Sequence, residues 1–320
     1  MGKRKQKVKT WISLSKEALG VLKENDPLRM AAATAFFTTF ALPPILIIMV
    51  QVFGLIFNME HLGDRFFERI AGVLGTESSG QIKRTFLGFK SKAQNWWITI
   101  GGFVFLMFVA TTLFKVIKDS LNQLWNIRMD TKGKMKANLA KRGVSMVIIL
   151  LAGILFITNT MAEGVQSLLG DYLNEVSPGA GSLVNRILNK IISVVIVTIW
   201  FSILLKLLPD ANPTWRVVIT GGFVTGILFT IGKAVIPRML PFGELSSIFG
   251  TSASIVLLLL FVFYSSFILY FGACFTRQYA LHIEEPIEAG SHAYKYDPEK
   301  VKEAQEEKVD EPGETESSKA

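Results

Sequence analysis

Thr34 and Thr38 stand one helical turn apart in an apolar run that then meets two consecutive prolines, Pro43 and Pro44. A proline carries no N–H, and its ring crowds the carbonyl four residues back, so the pair predicts a kinked or broken helix with freed carbonyls. In hydrocarbon those carbonyls need partners from a neighbouring helix, water or a ligand. Transporters build binding sites from broken helices of this kind. The small residues here, with Ala31 and Ala35, equally permit close helix approach around a bend that only shapes the packing. Both readings are open at this point.

Charged and amide groups inside apolar runs are costly and default to functional hypotheses. Lys233 lies deep in one such run, although its stem is long enough to snorkel to an interface. Asn159 and Glu163 sit a turn apart near the end of another, either paired with Lys233 or facing headgroups. Lys115 and Asn122, with Lys118 and Asp119 between them, form a polar face where a third run ends. Thr34, Thr38, Pro43, Pro44, Lys115, Asn122, Asn159, Glu163 and Lys233 are therefore the candidate cavity-lining residues.

Catalysis is not expected. The three histidines, His61, His282 and His292, lie outside the apolar runs, and no HExxH, phosphate-binding loop, GxSxG or carboxylate cluster is present. Metal-assisted hydrolysis needs several converging ligands, and the single cysteine, Cys274, excludes an intramolecular disulfide and a cysteine-cluster metal site. No metal or cofactor is called for.

The elements that must position these residues are long apolar helices. Half of the 320 residues are apolar and 19% are charged, against about a quarter charged in an ordinary soluble domain. Six runs approach or exceed the ~20 residues that cross a bilayer core: 28–57, 96–117, 143–161, 187–208, 217–236 and 251–276. The expected fold is an all-α polytopic membrane protein with six transmembrane helices in residues 28–276, the first broken at the prolines. Residues 1–27 read as a basic amphipathic helix ending at Asp26-Pro27, either in the membrane interface or packed on the spans. No cleavable signal peptide is evident, so targeting falls to the first span. The connection 58–95 carries two amphipathic stripes, read as a short helical cap. Residues 277–320 read as a charged, disordered tail.

Charge fixes the expected orientation. Eight Lys/Arg lie before or at the start of the first span, ending with Arg29, and eight more run from Lys115 at the end of the second span to Arg142, whereas the third-to-fourth connection, with the start of the fourth span, holds only Arg186 and Lys190. Both termini are therefore placed on the cytoplasmic side. Residues 276–320 hold six basic and twelve acidic side chains, so the other 275 carry a balance of +14. Without a nucleic-acid-binding motif this excess reflects orientation, and no nucleic-acid partner is expected. Arg29, Arg128, Arg142 and Arg216 are candidate contacts for anionic headgroups.

Gly222 and Gly226 form a GxxxG that favours packing within one bundle over a dimer contact. Gly101-Gly102-Phe103-Val104 echoes Gly221-Gly222-Phe223-Val224, as an inverted repeat would.

Asp26, Leu28 through Phe37 and Ala41-Leu42-Pro43-Pro44 together resemble the YihY/BrkB family of bacterial inner-membrane proteins. The likeness continues at Leu121-Asn122, Leu124-Trp125-Asn126, Leu207-Leu208-Pro209, Trp215-Arg216, Gly221-Gly222-Phe223, Phe249-Gly250, Tyr264 and Gly272-Ala273. It implies a six-span protein without a settled activity. An old ribonuclease BN label on some members conflicts with the missing metal-ligand cluster, and one namesake is linked to serum resistance. Phe249 stands where relatives read Tyr, and Cys274 where they read Glu, which argues against a coupling role at that corner. The expected function is transport or handling of an anionic or amphiphilic small molecule, with the bilayer as partner. A scaffold recruiting partners through its tail is the rival, and a membrane-bound hydrolase a distant third.

Overall fold

The computed structural model describes residues 2–57, 67–68, 71, 79–80, 83–84, 87, 96–129, 147–148, 150–155, 158, 180–239, 248 and 253–297. Most of these residues fall in helices, of which six have described bounds: α1 (Gly2–Lys23), α2 (Pro27–Phe57), α3 (Trp96–Leu124), α4 (Ala180–Leu207), α5 (Trp215–Met239) and α6 (Ala253–His282). Among the described residues three helical stretches are long and apolar enough to cross a membrane: Lys190–Leu207, Trp215–Ile236 and Ile255–His282. The described residues of the third expected span, 147–148, 150–155 and 158, are helical as well.

α6 is the hub, packing against α1, α2, α3 and α5, while α4 packs on α5 and α3 on α2. Glycines set the closest approaches. On α5, Gly221 lies under Thr276 of α6, and on α6, Gly272 lies under Thr225 of α5; a Cβ on either glycine would stand 1.8 Å from the threonine Oγ1. Each threonine hydroxyl donates to the carbonyl of the glycine four residues back on its own helix, at 2.7 Å for Thr225 and 2.6 Å for Thr276. The two helices thus interlock reciprocally in antiparallel register. Gly222 and Gly226 use the adjacent face of α5 against Thr198 and Ser202 of α4. The GxxxG is therefore a packing seam inside the bundle.

Three expectations change. The first concerns α2, which runs as one helix through Pro43 and Pro44 where a break was expected. Proline's fixed φ is itself helical, so two prolines remove two hydrogen bonds without forcing the chain out of the helix. The second concerns residues 277–297, which fold onto the bundle instead of starting a disordered tail. Strand β1 (Ile127–Met129) pairs with β4 (Ala293–Lys295), and β2 (Ala211–Asn212) with β3 (Glu288–Ala289), all antiparallel. Composition misses this because a few anchors suffice: Ile287 is 4% exposed, and the Arg277 guanidinium donates to the Leu124 carbonyl at 2.8 Å. Residues 298–320 lie outside the described residues. These four short strands also depart from a purely helical fold.

The third concerns α1, for which packing on the spans and a place in the interface were both open. Leu14, Ala18 and Leu22 are buried, and Trp11 stacks on Phe275 of α6 with ring centroids 5.5 Å apart. The helix packs on the bundle, yet one side of it stays exposed. In the 58–95 connection the described residues are helical, and its two halves meet where the Ser79 hydroxyl donates to the Phe67 carbonyl at 2.5 Å.

Candidate functional site

One end of the bundle gathers the start of α2, the ends of α3, α4 and α6, and the start of α5. Asp210, in the turn between α4 and α5, ties these together. Its carboxylate accepts from Lys118 at 2.6 Å and from Asn122 Nδ2 at 2.9 Å. Its N–H donates to Asn122 Oδ1 at 2.8 Å, and its carbonyl accepts from the Gly290 N–H at 2.9 Å. One residue thereby joins α3, the α4–α5 turn and the turn between β3 and β4. The Lys118 and Asp210 side chains are 12% and 17% exposed, so this ion pair is largely shielded and its partners matter more than a surface pair's would.

Around it, Trp125 Nε1 donates to the Ala273 carbonyl at 2.9 Å and the Tyr296 N–H to the Asn126 carbonyl at 3.0 Å. Asn126 takes φ 56° at the end of α3, a left-handed position that asparagine tolerates. With its side-chain amide turned so that oxygen faces Arg277, it accepts from Nη2 at 3.1 Å.

Inside the bundle from this end lies a second polar group. Thr34 of α2, 3% exposed, meets Tyr270 of α6 with 2.5 Å between hydroxyl oxygens. Thr34 also donates to the Met30 carbonyl at 2.9 Å, which leaves the Tyr270 O–H to donate to Thr34. Ser120 of α3, also buried, lies beside the same tyrosine. Three helices thus contribute hydroxyls to one buried cluster. One turn on, the Thr38 hydroxyl donates to the Thr34 carbonyl at 2.7 Å. The stripe then continues toward Pro43 and Pro44, whose missing N–H groups leave the carbonyls of Thr39 and Phe40 without their helical donors.

Of the residues singled out from sequence, Thr34 enters this hydroxyl cluster, Thr38 stands one turn away with its hydroxyl on the Thr34 carbonyl, and Asn122 enters the Asp210 knot. Pro43 and Pro44 lie in α2, where the backbone alone is described. Lys115 is exposed on α3, and Lys233 is exposed on α5 beside exposed Ile231 and Val235 instead of facing the buried cluster. That placement fits a snorkelling lysine. Asn159, Glu163 and Arg142 lie outside the described residues. The other arginines are exposed and each has an intramolecular neighbour: Asp26 at 3.6 Å from Arg29, the Tyr296 ring at 4.3 Å from Arg128, and Glu285 at 3.3 Å from Arg216.

Sequence reasoning passed over Tyr270, Ser120, Asp210 and Arg277. Tyrosine is rare here, six against 24 phenylalanines. A tyrosine inside a Phe-rich run was therefore a usable signal for Tyr270. Asp210 gave none, since Pro-Asp in a turn is ordinary turn chemistry.

A membrane protein of Teredinibacter turnerae, named UPF0761 membrane protein, is 25% identical over 286 residues, covering 86% of this chain and 64% of its own length. A UPF0761 membrane protein of Pseudomonas paraeruginosa is 26% identical over 245 residues, covering 76% of this chain and 57% of its own. One from an Azoarcus strain is 24% identical over 262 residues, with 80% and 60% covered. The chain thus spans less than two thirds of the length of these relatives. No solved structure matches it. The family profile described as Virulence factor BrkB matches residues 18–296, from within α1 to just past β4. A match over that length, with helices apolar enough to span a bilayer, makes the chain a membrane protein that belongs to the BrkB (YihY/BrkB, UPF0761) family.

Proposed function

We propose that this protein is a six-span protein of the bacterial inner membrane that translocates an anionic or amphiphilic small molecule, with both termini cytoplasmic and no catalytic chemistry of its own. The observation that carries this reading is the buried hydroxyl cluster of Thr34, Tyr270 and Ser120. Hydroxyls converging from three helices inside a membrane bundle are the groups from which polar pathways are built.

Chain direction supports six crossings. α2 and α5 start at the Asp210 end, and α3, α4 and α6 finish there. Because α3 and α4 both run toward that end, we place an outward crossing between residues 129 and 180, and the helical residues near 150 support that reading. The Lys/Arg excess at this same end supports a cytoplasmic assignment. The scaffold reading loses part of its basis, since Glu288–Ala289 and Ala293–Lys295 of the expected tail pair with β2 and β1.

Proteoliposomes carrying a fluorescent phosphatidylglycerol in both leaflets test the reading with an impermeant quencher added outside. Translocation exposes the inner-leaflet pool, and Tyr270→Phe slows that exposure. Equal protection of the inner pool in protein-containing and empty vesicles would overturn it.

A further inference from the structure

α1 is anchored by one side and exposed on the other, and the exposed side has a definite order. Lys9, Lys16 and Lys23 recur every seven residues, as do Ile12 and Leu19. At 3.6 residues per turn the lysines form one row along the helix and the two apolar residues an adjacent row. All five are exposed, with Ile12 at 52% and Leu19 at 42%. The acid on this helix stands off the row: Glu17 accepts from the Ser13 hydroxyl at 2.9 Å on the neighbouring flank.

The anchored side fixes the height of this face. Trp11 stacks on Phe275 and lies 6.3 Å from Tyr279, so α1 rides on the last two turns of the spanning helix α6. Leu28, 63% exposed, and exposed Arg29 follow at the start of α2. A cationic row beside an apolar row, at the level where a span leaves hydrocarbon, has the composition of a helix at the boundary of headgroups and acyl chains. An acidic peptide would neutralise the lysines and leave Ile12 and Leu19 in water.

We propose that the Lys9–Lys16–Lys23 row, flanked by Ile12 and Leu19, is a docking surface for anionic phospholipid headgroups of the leaflet adjoining this end of the bundle. It holds a lipid shell against α1 whether or not the bundle translocates anything.

Native mass spectrometry of the full chain with equimolar phosphatidylglycerol and phosphatidylcholine tests this. Phosphatidylglycerol adducts dominate. Lys9→Gln, Lys16→Gln and Lys23→Gln combined lower the ratio of the two adducts about tenfold, and the corresponding Lys→Arg variant keeps it. The thermal midpoint of the Gln variant stays unchanged, because Leu14, Ala18 and Leu22 still anchor the helix. A ratio equal to that of the unsubstituted chain in the Gln variant would overturn the proposal. A chain ending at Asp297 also keeps the ratio; a preference emerging only on that truncation would make the acidic segment 298–320 the occupant and overturn it too. A fluorophore on L19C shifts to the blue in phosphatidylglycerol nanodiscs, and water-like emission there counts against the surface.

Discussion

Asn122 and Asp210 hold each other at both ends of the asparagine amide, Nδ2 donating to the carboxylate at 2.9 Å and Oδ1 accepting the Asp210 N–H at 2.8 Å. The pair fixes the end of α3 against the α4–α5 turn in one rotation and one height. Lys118 neutralises the carboxylate from a turn earlier on the same helix.

Asp210→Asn removes the charge and leaves the shielded Lys118 ammonium without its carboxylate. Breaking a largely buried pair by deleting one partner costs about 3 kcal/mol. Thermal unfolding in detergent should show this loss, with Asn122→Ala close behind. A midpoint equal to that of the unsubstituted chain would mean the knot is incidental.

The α5–α6 interlock predicts a specific rescue. Gly272→Ala puts a methyl 1.8 Å from Thr225 Oγ1, an overpacking worth roughly 2 kcal/mol. Adding Thr225→Ala deletes that oxygen and leaves a nearest contact of 3.0 Å, so the double variant recovers most of the stability. A double-mutant cycle without coupling would contradict the antiparallel glycine–threonine register.

Stability and transport separate at the hydroxyl cluster. Tyr270→Phe and Thr34→Val each cost only about 1 kcal/mol, and their combination costs less than the sum because they delete one shared bond. Lipid translocation falls several-fold in either variant while the fold persists. Unfolding curves and the vesicle assay on the same preparations read the two effects apart.

Truncation tests the C-terminal strands. Ending the chain at Ile283 deletes β3, β4 and the Gly290 bond to Asp210, and lowers the thermal midpoint by several degrees relative to a chain ending at Asp297. Equal midpoints for both truncations would show that the strands contribute nothing.

The amino-acid sequence by itself determined the helical segments, the basic end of the bundle and the family, because each is local. An apolar run long enough to cross hydrocarbon is legible from its own residues, and the Lys/Arg bias is a count along the chain. The same locality explains the misses. The prolines mark lost hydrogen bonds but not whether α2 continues past them, and the charges after residue 276 hide Ile287 and the strands beside it. Tertiary structure alone decided which polar residues meet. Thr34 finds Tyr270 across 236 residues and Asn122 finds Asp210 across 88. Those pairings depend on how each helix is rotated and raised against its neighbours. Here the glycine–threonine contacts of α5 help to set that rotation and height, and hydrophobicity cannot, because every side of an apolar helix looks alike to it.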